Sequence, residues 1–301
     1  MLSIKYLRWI DLNITDLCNL RCTFCPRSDP KVWANNNEHM SLDLIQKITN
    51  ELIKHGYRQS LSFTGRGEST LHKDWDKAFD ILNRKDRTYV SNITTNGRNI
   101  EKLWNQIKYL DTLTVNTYTT NEEYEYRKEK FSHLANGRPV RHLFKPDDEK
   151  KQYNFSPNNR TGLLYGTPKE PLNEVCMRPI VYIFVNFDGT YELCCNDWKY
   201  KTPIANLNKH DILEVYSRSQ DLALVRWDLM QGYRNCTKAC SECDATGYNR
   251  AEYNALWNDE KQISWWEEKK HEAFAARGLI PTAPKPPPEL LAAIKRQKDG
   301  K

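Results

Sequence analysis

Apolar and polar residues follow two rhythms along the first half of the chain. Short runs at residues 9–14, 60–63, 89–95, 112–118 and 140–144 read as strands. Between them apolar residues recur at helical spacing. Leu42, Ile45, Ile48 and Leu52 follow a capping Ser41 in a helix reaching about residue 55; Trp75, Ala78, Phe79 and Leu82 form a second set. A helix over 100–110 and a polar one over about 121–134 complete the series. Strands and helices alternating at this interval predict parallel βα units and an α/β fold.

The rhythm breaks after residue 145. Pro146, Pro157, Pro168 and Pro171 punctuate a polar stretch, which predicts a linker and a first domain over 1–170. Residues 180–187 and 190–193, joined at Asp188-Gly189, read as a β-hairpin, and Asp211 caps a predicted helix to about residue 230. These elements make a second domain over 171–247. The remainder, 248–301, reads as a helical extension: an aromatic, charged helix over roughly 248–276, a proline-rich break and a short basic helix over 289–298. Trp257, Trp265 and Trp266 are expected to pack on their own chain. No solenoid-type repeat is present.

Composition sharpens this picture. Of 301 residues 39% are apolar and 28% charged, enough for a large packed domain with a smaller companion. The net charge of +6 is too modest to predict nucleic-acid binding. No apolar run reaches membrane-spanning length, and residues 1–10 lack the features of a signal peptide. A cytoplasmic protein is expected, where disulfides are rare. The nine cysteines therefore ask for another role. They fall at Cys18, Cys22, Cys25; Cys176; Cys194, Cys195; and Cys236, Cys240, Cys243, spacings that suit metal ligands rather than scattered core positions.

Cys18-Asn-Leu-Arg-Cys22-Thr-Phe-Cys25 places three thiolates on a loop after a strand. Three ligands on a four-iron cube leave one iron open to a cofactor or substrate. A zinc ion would want a fourth ligand, for which His39 is the nearest candidate. Downstream, Thr64-Gly65-Arg66-Gly67-Glu68 follows the second strand; its glycines would let the backbone approach a ligand, and its carboxylate suits an ammonium group. Thr94-Thr95-Asn96-Gly97 ends the third strand. Asn116-Thr117-Tyr118 ends the fourth, with Arg127 in the helix beyond.

The cysteine triplet, with an aromatic residue before its last cysteine, resembles the signature of the radical S-adenosylmethionine (SAM) superfamily. The resemblance covers roughly residues 9–145 and implies a partial (β/α)6 TIM-like barrel. It implies that Cys18, Cys22 and Cys25 hold a 4Fe–4S cluster whose unique iron chelates SAM. Reductive cleavage would then give methionine and a 5′-deoxyadenosyl radical, with the electron supplied by an external reductant such as flavodoxin or ferredoxin. Carried over by position, Phe24 lies near the adenine, Gly65, Gly67 and Glu68 contact the methionyl amino group, Asn116 meets the ribose and Arg127 the SAM carboxylate. Arg66 stands where the family often has glycine.

The later cysteines resemble a second pattern. Cys176-Met-Arg-Pro179, Asp188-Gly189, Cys194-Cys195-Asn-Asp197 and Cys240-Ser-Glu-Cys243 together look like a SPASM or twitch extension, a small α+β domain binding an auxiliary 4Fe–4S cluster. By this resemblance the ligands are Cys176, Cys194, Cys240 and Cys243. Spacing alone leaves Cys194 and Cys195 as alternatives, since neighbours on a strand face opposite sides; the family pattern favours Cys194. Cys236 is left as a spare or alternative ligand. Cys195 is a candidate catalytic thiol that would return a hydrogen atom to a substrate radical.

The resemblance implies a radical SAM oxidoreductase. A net oxidation, or dehydrogenation, of a small-molecule or carbohydrate substrate is expected, with the auxiliary cluster accepting an electron. Peptide modification by the same chemistry (thioether formation, epimerisation or other maturation) is the alternative, and a non-catalytic iron–sulfur scaffold a further one. The first strand begins within ten residues of Met1, which predicts no N-terminal peptide-binding module. Tyr153, Asn159, Arg160, Asp197 and Trp198 fall near the expected domain junction, where a substrate would sit. No general base stands out in the sequence.

Overall fold

A computed structural model describes residues 1–147, 157–247 and 250–266. Eight strands form one sheet in the order β5-β4-β3-β2-β1-β6-β7-β8. They are β1 Trp9–Leu12, β2 Ser60–Phe63, β3 Val90–Thr95, β4 Thr112–Thr117, β5 Arg141–Phe144, β6 Tyr182–Val185, β7 Thr190–Glu192 and β8 Pro203–Asn206. Pairing is parallel from β5 through β1 to β6 and antiparallel across β6, β7 and β8. The architecture is thus α/β, a partial barrel of six parallel strands extended by an antiparallel region.

Helices α1 Leu42–Lys54, α2 Trp75–Leu82, α3 Ile100–Ile107 and α4 Asn121–Lys130 connect the first five strands. Helix α1 forms where the sequence predicts it. The Ser41 hydroxyl accepts from the Leu44 amide at 3.1 Å, and the buried stripe of Leu44, Ile45, Ile48 and Leu52 faces the sheet.

Register decides which face of the sheet is dry. Leu12, Phe63, Ile93 and Leu113 stand side by side on successive strands, and this apolar row belongs to the core shared with the helices. The alternate row is Asp11, Ser62, Asn92 and Thr112. Since consecutive strand residues face opposite sides, the barrel has an apolar exterior under its helices and, across β1 to β4, polar residues toward its lumen, flanked by Phe184 of β6 beside Asp11 and Leu143 of β5 beside Asn116.

Three features differ from the sequence expectation. First, β6 pairs in parallel with β1, so one strand of the expected hairpin is also the sixth strand of the barrel. The sheet therefore continues across the boundary expected at residue 170. Second, the helix expected to run from Asp211 to about residue 230 is two, α6 Ile212–Arg218 and α7 Gln220–Met230. Ser219 between them is extended (φ −60°, ψ 120°), and its hydroxyl caps α7 by accepting from the Leu222 amide. Third, the hairpin is entered through a single helical turn, α5 Arg178–Val181, with Pro179 near its start.

Beyond the short helix α8 Lys238–Ser241, helix α9 Arg250–Trp257 and the helical residues 260–266 pack back on the chain. Trp257 and Trp266 meet Trp227 of α7 edge-on, at centroid distances of 5.9 and 6.2 Å. Asp259 accepts from Lys5 at 2.7 Å and Tyr6 at 2.6 Å, and Gln262 from the Ser3 amide at 2.9 Å. Tyr153, the rest of the aromatic helix and the basic helix over 289–298 lie outside the described residues. No described helix is long and apolar enough to cross a membrane.

Candidate active site

The three N-terminal cysteines sit on a loop leaving β1. Asp16 at its base closes the loop by accepting from the amides of Asn36 at 2.7 Å and Glu38 at 2.9 Å. A backbone bond from the Cys25 amide to the Cys22 carbonyl, 2.9 Å, makes the inner turn. The amide and hydroxyl of Thr23 donate to Asp147 at 2.9 and 2.7 Å, which ties the loop to the far edge of the barrel.

The glycine-containing turn after β2 presses directly on that loop. A Cβ at Gly65 would lie 2.3 Å from Asn13 Oδ1, and one at Gly67 only 2.2 Å from the Thr15 carbonyl and 2.7 Å from that of Leu17. The close approach that demands glycine is thus to the end of β1 and the start of the cysteine loop, where the sequence alone suggested an approach to ligand. Asn13 Oδ1 accepts from the amides of Arg66 at 2.8 Å and Gly67 at 3.1 Å, and the Glu68 amide donates to the Leu17 carbonyl at 2.7 Å. Turn and cysteine loop form one unit.

Cys18, Cys22 and Cys25 line a single cleft together with Phe24, Gly65, Gly67, Glu68 and Asn116. Glu68 is held in place from below: its carboxylate accepts from the hydroxyls of Thr70 and Thr95 and from the Asn96 amide, each at 2.7 Å. One oxygen keeps capacity for a further donor. Among the described residues Asn116 Oδ1 is buried with no hydrogen-bond partner, as is suited to an acceptor awaiting a ligand hydroxyl. Phe24 tilts against Tyr118 at 5.4 Å, so two aromatic rings wall one side.

Arg127 is placed differently from its expected position. It is buried behind the cleft, donating to the Asn96 carbonyl at 3.2 Å, to Thr117 at 3.4 Å and to Glu123 at 2.5 Å, and it is not on the cleft wall. The cleft cation with most donors to spare is Arg27. Among the described residues its Nε and Nη1 are buried without partners while Nη2 bonds to Asn35; Arg66, also on the cleft, leaves only its Nε unmade. Sequence reasoning passed over Arg27 because an arginine after a cysteine triplet reads as an ordinary surface charge.

Burial pushes the thiols of Cys18, Cys22 and Cys25 up; bound iron would reverse this and draw their protons off. Three thiols, a carboxylate, an unsatisfied amide oxygen and a guanidinium with two unmade bonds fit a cluster carrying an amino-acid cofactor. Among the described residues no three Cys, His, Asp or Glu side chains converge as they would on a single ion. Ligands of a four-iron cube stand farther apart, each on its own iron.

A second cavity lies past the hairpin. Cys176, Cys194, Cys240 and Cys243 all line it, whereas Cys195 and Cys236 do not. Four local features bring the thiols there. Cys176 enters through a bond from its amide to the Leu229 carbonyl, 3.0 Å, beside Gly247, where a Cβ would lie 2.3 Å from Cys176 Sγ. Thr237 caps α8 by accepting from the Cys240 amide at 3.1 Å. The amides of Asn196 and Ala245 donate to the sulfurs of Cys194 at 3.5 Å and Cys243 at 3.3 Å. Such a set of four separated sulfurs with N–H···S bonds fits an iron–sulfur cluster.

Arg178, on the wall of the second cavity, belongs with Asp11, Tyr182, Cys195 and Arg160 to a group of neighbouring polar side chains. Arg160 adopts a left-handed backbone (φ +51°) and donates to Asn196 at 2.8 Å; its charge acts on both Cys25 and Cys195. Asp197 holds the adjoining loop by accepting from the amides of Lys201 at 3.0 Å and Thr202 at 2.8 Å, and Trp198 joins the rings around Arg66. Asp11 accepts from the Tyr182 hydroxyl at 2.8 Å, and Arg178 Nη1 reaches Cys195 Sγ at 3.5 Å. Asp11, Tyr182, Arg178 and Cys195 are deeply surrounded yet each keeps solvent-accessible surface, as side chains lining an internal space do. Burial pushes the Asp11 carboxyl up to about 8, against the pull of the Tyr182 hydrogen bond. The clue to Asp11 in the sequence is slight: a lone acid at the lumen-facing position of a strand.

Residues 12–136 match the family described as the radical SAM superfamily, and residues 176–244 one described as an iron–sulfur cluster-binding domain, SPASM. The GTP 3′,8-cyclases of Klebsiella pneumoniae and Mannheimia succiniciproducens are each 33% identical, over 90 and 94 residues or 30% and 31% of this chain. The chain spans 27% of the length of these relatives. Among solved structures, BtrN in complex with AdoMet and 2-DOIA superposes with a TM-score of 0.67 at 19% identity, covering 80% of this chain and 97% of that one. BtrN in an open conformation gives 0.58 at 17% identity, covering 79% and 92%. At such identities the likeness is one of fold.

Proposed function

We propose that this chain, which belongs to the radical SAM superfamily and carries a C-terminal SPASM domain, oxidises a small hydroxylated molecule by removing two hydrogens. When bound, the first cluster and SAM supply a 5′-deoxyadenosyl radical that takes a substrate hydrogen atom, and the auxiliary cluster supplies the sink for the electron left behind. Cys18, Cys22 and Cys25 hold the first cluster; Cys176, Cys194, Cys240 and Cys243 hold the auxiliary one. Glu68 receives the methionyl ammonium, Asn116 the ribose, Phe24 the adenine and Arg27 the carboxylate. Arg127 acts from behind, supporting the Asn96-Gly97 turn.

The observation that carries this reading is the polar lumen beneath the cleft. Asp11, Ser62 and Asn92 share one face of adjoining strands, a lining that suits hydroxyl groups and would be costly to bury against an apolar ligand. Asp11 receives the hydroxyl proton of the substrate, with its carboxyl poised near neutral pH by burial. Tyr182 orients it. The count closes: one hydrogen leaves as an atom, the second as a proton to Asp11, and one electron departs.

Anaerobic reconstitution, iron and sulfide counting, and assay of 5′-deoxyadenosine with a strong reductant test the chemistry. A panel of polyols and amino-sugars then tests the substrate class, with a product two hydrogens lighter as the expected result. A product of unchanged mass would point to epimerisation, with Cys195 returning the hydrogen atom. Absence of 5′-deoxyadenosine with the first cluster intact would sink the catalytic reading.

A further inference from the structure

Among the described residues, the auxiliary cavity is walled by two arginines, Arg178 and Arg234, and by no carboxylate. Arg234 is 1% exposed. Its guanidinium donates only to backbone, the carbonyls of Glu174 at 2.6 Å and Ala245 at 3.2 Å, and no acid pairs with it among the described residues. A guanidinium buried without a counter-ion is costly and calls for an anion nearby. Glu242, the acid between Cys240 and Cys243, is bound instead by Lys201. Among the described residues Arg178 donates to Cys195 Sγ at 3.5 Å, and its Nε is buried without a partner.

Both guanidinium-bearing side chains line the same cavity as all four candidate ligands, Cys176, Cys194, Cys240 and Cys243. The first cleft differs. Its lining includes a carboxylate, Glu68, as well as Arg27, and its Arg66 is bound to Glu192. Four thiolates around a 4Fe–4S core carry net negative charge in both oxidation states, and reduction adds one unit more. Fixed positive charge and N–H···S bonds favour the more negative state.

We propose that Arg178 and Arg234 raise the reduction potential of the auxiliary cluster, making it an electron acceptor rather than a structural staple. The proposal rests on Cys176, Cys194, Cys240 and Cys243 being the ligands. Arg178 has the further property of spanning the two sites, since it touches the lumen-side Cys195 while lining the cluster cavity.

The test is a redox titration, followed by electron paramagnetic resonance, of native, R178Q, R178K and R234Q proteins, each reconstituted anaerobically and assayed for iron and sulfide. In R178Q the auxiliary signal should appear at lower potential, its reduction disfavoured tenfold or more, about 59 mV for a one-electron couple. R178K should lie nearer the native value, and the first cluster should not move. R178Q decides the matter, because R234Q also removes buried hydrogen bonds that hold the fold. Iron for two clusters with an unmoved auxiliary potential in R178Q overturns the proposal alone. Iron for a single cluster in the native protein overturns the ligand assignment and the proposal with it.

Discussion

Arg66 closes a bidentate ion pair on Glu192 in the interior of the protein, with side-chain exposures of 1% and 0%. The same guanidinium donates to the Asp197 carbonyl at 2.8 Å and lies 4.9–5.3 Å from the rings of Trp33, Phe184, Trp198 and Tyr200. Arg66 belongs to the turn on the cleft of the cysteine triplet. Glu192 and Asp197 bracket Cys194 and Cys195. One side chain thus holds the two sites in register, at a position where the family often has glycine.

Replacing Arg66 by methionine strands a buried carboxylate. A loss of about 3–5 kcal/mol is expected, measured by urea unfolding. The R66M/E192M double variant should recover most of it, because neither charge is then left unpaired. Equal losses in single and double variants would show that the packing around Arg66, and not the ion pair, is what the fold depends on.

The two cysteine sets should separate in function. C22A is expected to abolish 5′-deoxyadenosine formation, since on the proposed assignment it removes a ligand of the SAM-cleaving cluster. C240A should keep part of that cleavage while losing auxiliary iron. Cleavage unaffected in C22A would remove the triplet from the cofactor site.

Gly67 has no room for a methyl group: a Cβ would lie 2.2 Å from the Thr15 carbonyl, which is backbone and cannot yield cheaply. G67A should lose SAM binding, read by equilibrium dialysis, and about 1–3 kcal/mol of stability. G137A is the control. Its Cβ meets nothing within 4 Å, but φ is +80°, so about 1 kcal/mol should be lost with SAM binding intact.

Asp11 should leave a mark on the pH dependence of stability. Burial lifts its carboxyl from an ordinary 3.8 to about 8 in the folded protein. Between those values the folded state holds a proton that the unfolded chain releases. Its stabilising contribution is therefore complete at the acid end and lost as pH rises through the folded value. D11N removes this slope, so its melting temperature relative to native protein should climb from pH 5 to 8. Parallel curves for the two proteins would show that Asp11 titrates normally.

The strands and helices of the barrel were legible because each buries one face locally. The stripe Leu42, Ile45, Ile48, Leu52 specifies α1 without reference to any other segment, and the cysteine triplet keeps its spacing on any fold. The break at Ser219 was harder to see, since one serine in an apolar helical pattern can cap a helix or ride on its surface. Arg27 and Arg127 illustrate the limit within the site. Both are arginines near plausible motifs, and nothing in their neighbours says which one turns into the cleft.

By itself, then, the sequence determined the cofactor chemistry and the order of βα units, through short-range spacing of thiols and apolar residues. The tertiary structure decided what lies between distant segments: β6 closing on β1, Arg66 reaching Glu192, Cys194 rather than Cys195 lining the auxiliary cavity, and Asp11 facing a polar lumen. Those relations join residues far apart along the chain. They depend on how distant segments pack and on which side of the backbone each side chain leaves; for Asp11, a shift of one residue in register would turn the carboxylate out of the lumen.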